Sequence, residues 1–197
     1  IDHICWLKNA WPAKAQALGG RHYRCSPEGV EYVDQNLDVY AVEYTFPDGT
    51  KFLFDGRCMN GCQDIYSSYL HGTKGMAVAS SSGDCGLPSR MYKSQRAERA
   101  DLVWESKVPD GQQNPYQNEW NDLIGAIRND KPYNELERGV KTSLVTSLGR
   151  MAAHTGQEVT FDAILAGDHE FAPGLDRLTD ASAAPLQPGT NGKYPVP

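Results

Sequence analysis

The residues Val39-Tyr40-Ala41-Val42-Glu43-Tyr44-Thr45-Phe46, followed by Pro47-Asp48-Gly49, decide the fold class of this chain. The even-numbered residues of the run, Tyr40 to Phe46, are all apolar or aromatic, so they share one face of an extended segment. Such alternation is typical of a half-buried antiparallel strand. Proline, aspartate and glycine then favour a tight turn, and Lys51–Cys58 returns as a second strand. The stretch therefore predicts a β-hairpin.

More short strands are predicted on both sides of this hairpin. They cover residues 13–18 before it and residues 64–71, 76–80, 90–93 and 101–105 after it. Glycines at both ends of residues 72–75 predict a hairpin turn, and the Ser/Gly-rich residues 81–89 predict a loop. A segment over residues 2–9 has the pattern of a helix end.

Two longer helices follow the strands. Asn114-Pro115-Tyr116-Gln117 offers an N-cap, a proline at the first helical position and a capping-box glutamine. A second capping box, Asn134-x-x-Glu137, precedes an apolar stripe that ends at Gly156, a typical C-terminal cap. A brief strand at 159–160 and a short helix over 161–166 complete the pattern.

Strands followed by helices predict an α+β fold, with an open, largely antiparallel sheet and helices on one face. The other face of such a sheet needs a cover, and we expect a second domain or a symmetry mate to supply it. Residues 1–172 are interpreted as one domain. Residues 173–197, rich in proline and glycine, are interpreted as an extended tail.

Charge and hydropathy exclude several function classes. The net charge is −6 and no run of Lys or Arg stands out, which argues against a nucleic-acid or anionic-membrane surface. No apolar stretch approaches the roughly 20 residues that span a bilayer. We therefore expect neither nucleic acid nor membrane as a partner.

The five cysteines, Cys5, Cys25, Cys58, Cys62 and Cys85, are an odd number and are scattered along the chain. This usage favours free thiols in a reducing compartment, and hence a cytoplasmic location. Cys58-x-x-x-Cys62 could instead bind zinc together with His71 or His22, or form a disulfide if the loop folds back. We predict no metal. Because the chain begins at Ile1 within a helical pattern, we expect its start to be cut, which leaves export open.

The densest polar segment, residues 55–64, lies between two apolar strands. Arg57, Asn60, Gln63 and Asp64 could hydrogen-bond a polyhydroxylated ligand; the alternative is a solvated strand end. The sequence contains neither G-x-G-x-x-G nor a P-loop, so we expect no dinucleotide to bind this chain alone. His154, late in its helix, is predicted to interact as a cation with the helix dipole.

Several segments together resemble a known family. Ile1-Asp2-His3-Ile4-Cys5-Trp6-Leu7 resembles the end of the H-x-I-D-x-x-x-W-L segment of the glucose–fructose oxidoreductase/inositol dehydrogenase/MocA (Gfo/Idh/MocA) family. Residues 72–75 resemble that family's sheet turn, and residues 114–124, 128–133 and 149–159 resemble its late helical region. The resemblance runs from Ile1 to about Pro173 and is to the C-terminal domain of the bacterial branch.

The resemblance implies a Rossmann domain upstream and hydride transfer between NAD or NADP and a sugar, cyclitol or related alcohol or carbonyl. The family's catalytic Lys and His would both lie upstream of Ile1, so it implies no catalytic residue and no bound cofactor in this chain, which we expect to be inactive alone. Asp2 matches a position that faces the substrate, and Cys62 and Asp64 match a strand start near it. The family's open sheet face also forms a subunit interface, which implies a homo-oligomer. The resemblance thus implies that residues 1–172 are a substrate-binding and oligomerisation domain.

One alternative stays open. A stand-alone carbohydrate-binding or protein-interaction module with the same fold would fit the same residues. The coding sequence upstream of Ile1 distinguishes the two, because the parent of a truncated oxidoreductase must encode a G-x-G-x-x-G strand–turn–helix there.

Overall fold

The computed structural model describes residues 1–22, 36–81, 88–170 and 174–182. The chain forms two compact units: unit 1 comprises Ile1–Asn60 and the chain from Glu135 onwards, and unit 2 comprises Gly61–Asn134. Each unit contains a four-stranded sheet, and the strand pairs in the described residues are all antiparallel. The α+β class with open antiparallel sheets is confirmed, with the strands divided between two sheets.

In chain order the elements are α1 (Asp2–Lys8), β1 (Lys14–Gly20), β2 (Val39–Thr45), β3 (Lys51–Arg57), β4 (Ser68–Gly72), β5 (Gly75–Ser80), β6 (Arg90–Tyr92), β7 (Leu102–Glu105), α2 (Pro115–Arg128), α3 (Leu136–Thr155), β8 (Val159–Thr160) and α4 (Phe161–Ala166). The predicted strand over 64–71 begins only at Ser68. The proposed domain end at residue 172 and most of the 173–197 tail lie outside the described residues, as do Cys25 and Cys85.

The sheet of unit 1 has the order β3-β2-β1-β8. Val42 of β2 lies between Ala17 of β1 and Phe54 of β3. The predicted turn between β2 and β3 is confirmed: Gly49 adopts φ 83°, and its N–H donates to the carbonyl oxygen of Phe46 at 2.9 Å. This φ is one that glycine adopts without steric cost.

The predicted apolar face of β2 packs against α3. Val42, Tyr44 and Phe46 are 4%, 1% and 2% exposed, and they form one core with Val145, Leu148 and Ala152 of the helix. Within this core the Tyr44 hydroxyl donates to the carbonyl oxygen of Val145 at 3.1 Å. A Cβ atom at Gly149 would lie 2.1 Å from the Tyr44 hydroxyl oxygen. Glycine at this position therefore allows the helix to approach the sheet.

A second polar contact joins the same helix and strand. The Tyr40 hydroxyl accepts from the Leu37 N–H at 2.9 Å and lies 3.0 Å from Nε2 of His154. Burial, followed by the charges of Arg150 and Arg21, lowers the pKa of His154 to about 4. His154 is therefore neutral at pH 7, and its ring shares a hydrogen bond with the Tyr40 hydroxyl. The prediction of a cationic His154 at the helix C-terminus is wrong, because burial beside two arginines disfavours the charge.

The helix ends agree with the sequence in part. Asn114 caps α2, since its Oδ1 accepts from the N–H groups of Tyr116 and Gln117 at 3.1 and 3.2 Å. Gly156 ends α3 with φ 68°, as predicted. The second capping box is wrong, because α3 starts after Glu135 without a side-chain cap. Glu137 instead pairs with Lys141 at 2.6 Å.

Unit 2 holds a smaller core. Its sheet has the order β4-β5-β6-β7, and Met76, Val78 and Tyr92 pack together on one face with Leu102. The hairpin turn predicted at residues 72–75 is confirmed by the pairing of Gly72 with Gly75. Gln95 supports it, since its Nε2 donates to the Gly72 and Gly75 carbonyl oxygens at 2.7 and 3.1 Å. None of the described helices has the length and apolar character needed to cross a membrane.

Substituting Gly149→Ala tests the close approach of helix and sheet. The added Cβ displaces Tyr44 and breaks its bond to Val145, so we expect a loss of about 2–4 kcal/mol in the free energy of unfolding. Gly139→Ala is the matched control on the same helix, since no atom lies within 4 Å of its Cβ position. There we expect a gain of up to about 1 kcal/mol. Urea unfolding followed by circular dichroism measures both, and equal effects would contradict the packing.

Acid titration tests the Tyr40–His154 contact. An unfolded histidine has a pKa near 6.5 whereas folded His154 has a pKa of about 4, so the unfolded chain binds the extra proton first. This stability contribution is complete above pH 6.5 and is lost as the pH falls towards 4. Because the ring is partly exposed, we expect a loss of about 1–2 kcal/mol. His154→Gln should remove this part of the pH dependence in urea unfolding; an unchanged profile would count against the contact.

Candidate functional site

Asp2 is the predicted site residue with the most defined surroundings. It lies in the first turn of α1, and its Oδ1 accepts two hydrogen bonds from α3: from Arg138 Nη2 at 3.1 Å and from Thr142 Oγ1 at 2.9 Å. Residues four positions apart on a helix share one face. The first turns of α3 therefore present two donors to one carboxylate oxygen.

Arg138 also contacts an aromatic ring. The centre of its guanidinium lies 5.8 Å from the centroid of the Trp11 ring, within the range of a cation–π contact. Trp11 is partly buried and precedes Pro12, which is fully buried. The arginine thus contacts both a carboxylate and an indole, and its side chain is 30% exposed.

The two oxygens of the Asp2 carboxylate differ in their surroundings. Its side chain is 56% exposed, and among the described residues both side-chain hydrogen bonds go to Oδ1. An ionised carboxylate only accepts hydrogen bonds. Oδ2 can therefore accept from a hydroxyl group, which is the chemistry a sugar or cyclitol offers.

Cys5 lies one turn further along α1 and has a structural role. It is 1% exposed within the core of unit 1, and burial raises the pKa of its thiol. A buried thiol of raised pKa is a poor nucleophile and a poor metal ligand at neutral pH. Cys5 thus anchors α1 in the core, while Asp2 on the same helix faces outwards.

The structure divides the remaining predicted site residues between the two units. Arg57 ends β3, paired opposite Val39, and Asn60 lies in the following loop; both are exposed and belong to unit 1. Cys62 is half-buried and Asp64 is exposed, and both belong to unit 2, in the non-strand segment before β4. The expectation that Asp64 begins a strand is wrong. The substrate contacts of all these residues stay predictions.

Sequence reasoning missed Arg138 and Thr142. Their spacing indicates that they share one helix face, but no local pattern pairs that face with a carboxylate 136 positions earlier in the chain. Only the packing of α1 beside the start of α3 brings the three side chains together.

The described residues give the zinc and disulfide alternatives no support. Cys5, Cys58 and Cys62 are free thiols. Over residues 1–22, 36–81, 88–170 and 174–182, no group of three or more His, Cys, Asp or Glu side chains is placed to hold a metal ion.

Comparison with solved structures identifies the fold. The chain is similar to the aldose–aldose oxidoreductase of Caulobacter crescentus, solved with glycerol, at 17% identity and a TM-score of 0.60, over 81% of this chain and 44% of that one. The UDP-N-acetylglucosamine 3-dehydrogenase of Acidithiobacillus ferrooxidans matches at 17% identity and a TM-score of 0.50, over 77% and 44% of the two chains. An Agrobacterium radiobacter oxidoreductase, solved with NAD+, L-tartaric acid and magnesium, matches at 14% identity and a TM-score of 0.50, over 83% and 47%.

The chain therefore spans less than half the length of these proteins. Neither a scan against protein-family models nor a search of curated protein sequences gives a match. The structural likeness, at low identity, agrees with the resemblance carried by the sequence motifs. The chain has the fold of Gfo/Idh/MocA-type oxidoreductases over about four fifths of its length.

Proposed function

We propose that this chain is the C-terminal substrate-binding and oligomerisation domain of an NAD(P)-dependent oxidoreductase that acts on a sugar, cyclitol or related alcohol or carbonyl. The observation that carries the proposal is the fold: most of this chain matches less than half of each neighbouring oxidoreductase. Two of those neighbours act on sugars or sugar nucleotides by name, and one binds NAD+.

The dinucleotide belongs to the rest of the proposed protein. A pyrophosphate typically binds where a glycine-rich turn leads from a strand into a helix. Neither α2 nor α3 starts in this way, and the first N–H groups of α2 are already capped by Asn114. The described residues therefore do not fit the cofactor, and we assign this chain no step that passes through it.

The contribution of this chain is to bind and orient the substrate. Hydride transfer requires the donor and acceptor carbons to be held about 3–3.5 Å apart, so a hydroxyl-binding surface must face the nicotinamide. Asp2 supplies an acceptor for a substrate hydroxyl. Arg57, Asn60, Cys62 and Asp64 are proposed as further contacts, and we propose no general base among the residues of this chain.

Self-association through the open face of the unit 1 sheet is part of the proposal. That face carries Leu18 and Leu53, which are 78% and 68% exposed. Beside Leu53 lies a polar ladder, in which Glu43 accepts from Gln16 at 3.2 Å and from Lys51 at 2.7 Å. Exposed leucines beside an ordered polar ladder suit an interface that also fixes orientation.

The substrate role is tested in the full-length protein, with NAD+ or NADP+ reduction followed on a panel of myo-inositol, D-glucose and D-xylose. Asp2→Asn should raise the KM for the active polyol about tenfold, because a charge-assisted hydrogen bond is lost. Asp110→Asn, which makes the same charge change in an exposed loop, should leave KM unchanged. Tight binding of NADH to the 197-residue chain alone, measured by calorimetry, would contradict the proposal that the cofactor binds the rest of the protein.

The oligomeric state is tested by light scattering after size-exclusion chromatography. We expect the chain to form at least a dimer, and Leu53→Glu to convert it to monomers by placing a charge in the interface. Leu165→Glu is the control, since Leu165 is 61% exposed on α4, away from the sheet face. A monomeric parent chain would rule out this interface.

A further inference from the structure

The two donors on α3 converge on one oxygen of Asp2 and leave the other oxygen exposed. Arg138 Nη2 and Thr142 Oγ1 lie 3.1 and 2.9 Å from Oδ1. We propose that Arg138 and Thr142 are positioning residues, which fix the Asp2 carboxylate so that Oδ2 accepts a hydrogen bond from a hydroxyl of the substrate. This inference rests on the proposed function, and it explains how the contact between Asp2 and the substrate is preorganised.

Asp2 needs such support because of its place in the fold. It is in the first turn of a seven-residue helix whose N-cap, Ile1, makes no side-chain capping bond. A free aspartate there can occupy several rotamers, and fixing one of them on substrate binding costs free energy. Two bonds to a single oxygen select one rotamer before the substrate arrives.

The donors stand on a rigid platform. Val145 and Leu148, which follow Thr142 on α3, are 0% exposed in the core of unit 1. Arg138 is further restrained by its contact with Trp11. Because α3 is fixed by its packing in the core, its two donors hold the Asp2 side chain of the short helix α1 in a defined position.

Thr142 allows a sharp test, because substitution can separate the shape of its side chain from its hydroxyl group. Thr142→Val keeps the shape and removes the hydroxyl, whereas Thr142→Ser keeps the hydroxyl. The matched control is Thr146→Val, one turn further along, where the hydroxyl donates to the Thr142 carbonyl oxygen at 3.1 Å. Arg138→Lys keeps the charge and loses the planar guanidinium that contacts both Trp11 and Asp2.

Two measurements are made on each variant. The first is the KM and kcat of the full-length protein with the active polyol of the panel above. The second is the dissociation constant of myo-inositol for the 197-residue chain, from saturation-transfer NMR. We expect Thr142→Val to raise KM and the dissociation constant about fivefold with little change in kcat, as for one lost hydrogen bond. Thr142→Ser and Thr146→Val should stay within about twofold of the parent.

The outcomes separate this inference from the proposed function. Polyol oxidation with an Asp2→Asn effect but no Thr142→Val effect overturns the positioning role and leaves the function standing. Polyol binding with the expected order of variants, but no oxidation with NAD+ or NADP+, supports the positioning role and overturns the function. The positioning role is overturned if Thr142→Ser weakens polyol binding as much as Thr142→Val does. It is also overturned if no polyol binds. The unfolding temperatures of the variants show whether weaker binding comes from the site or from a less stable fold.

Discussion

The packing of α3 against the unit 1 sheet is the constraint on which the rest of that unit depends. Tyr44 lies between the strands and the helix, with its ring in the core and its hydroxyl bonded to the Val145 carbonyl oxygen. An aromatic side chain of this size fits there because Gly149 presents no side chain. The hydroxyl needs a partner once it is buried, and the helix backbone supplies one. Tyr44 therefore sets both the distance and the register between helix and sheet.

The candidate site follows from that register. Arg138 and Thr142 lie on the first two turns of α3 and face α1, while the later turns of the same helix are buried in the core. A shift of α3 by one residue would rotate both donors away from Asp2, since each residue turns the helix by about 100°. The same helix, α3, thus determines both the packing of the core and the geometry of the Asp2 carboxylate.

Much of the fold was predictable from sequence, because its signals are local. Alternation in β2, the turn at Gly49, the Asn114 cap and the Gly156 stop each act over a few residues. The failures arise where another contact outweighs the local signal. His154 is neutral because burial beside Arg150 and Arg21 outweighs the helix dipole, and Glu137 pairs with Lys141 in place of a cap. Asp2 was recognised from its motif, but Arg138 and Thr142 are distant in sequence and carry no motif of their own.

Unit 2 interrupts unit 1 between Asn60 and Glu135, and this has a consequence for how the chain folds. The contact between Tyr44 and Val145 spans 101 positions, whereas unit 2 is continuous and is built from neighbouring hairpins. Contacts of high sequence separation form slowly, although the entropy of closing a long loop grows only with the logarithm of its length. During synthesis the whole of unit 2 leaves the ribosome before α3 does. The core of unit 1 is therefore completed last, and until then its sheet lacks its helix.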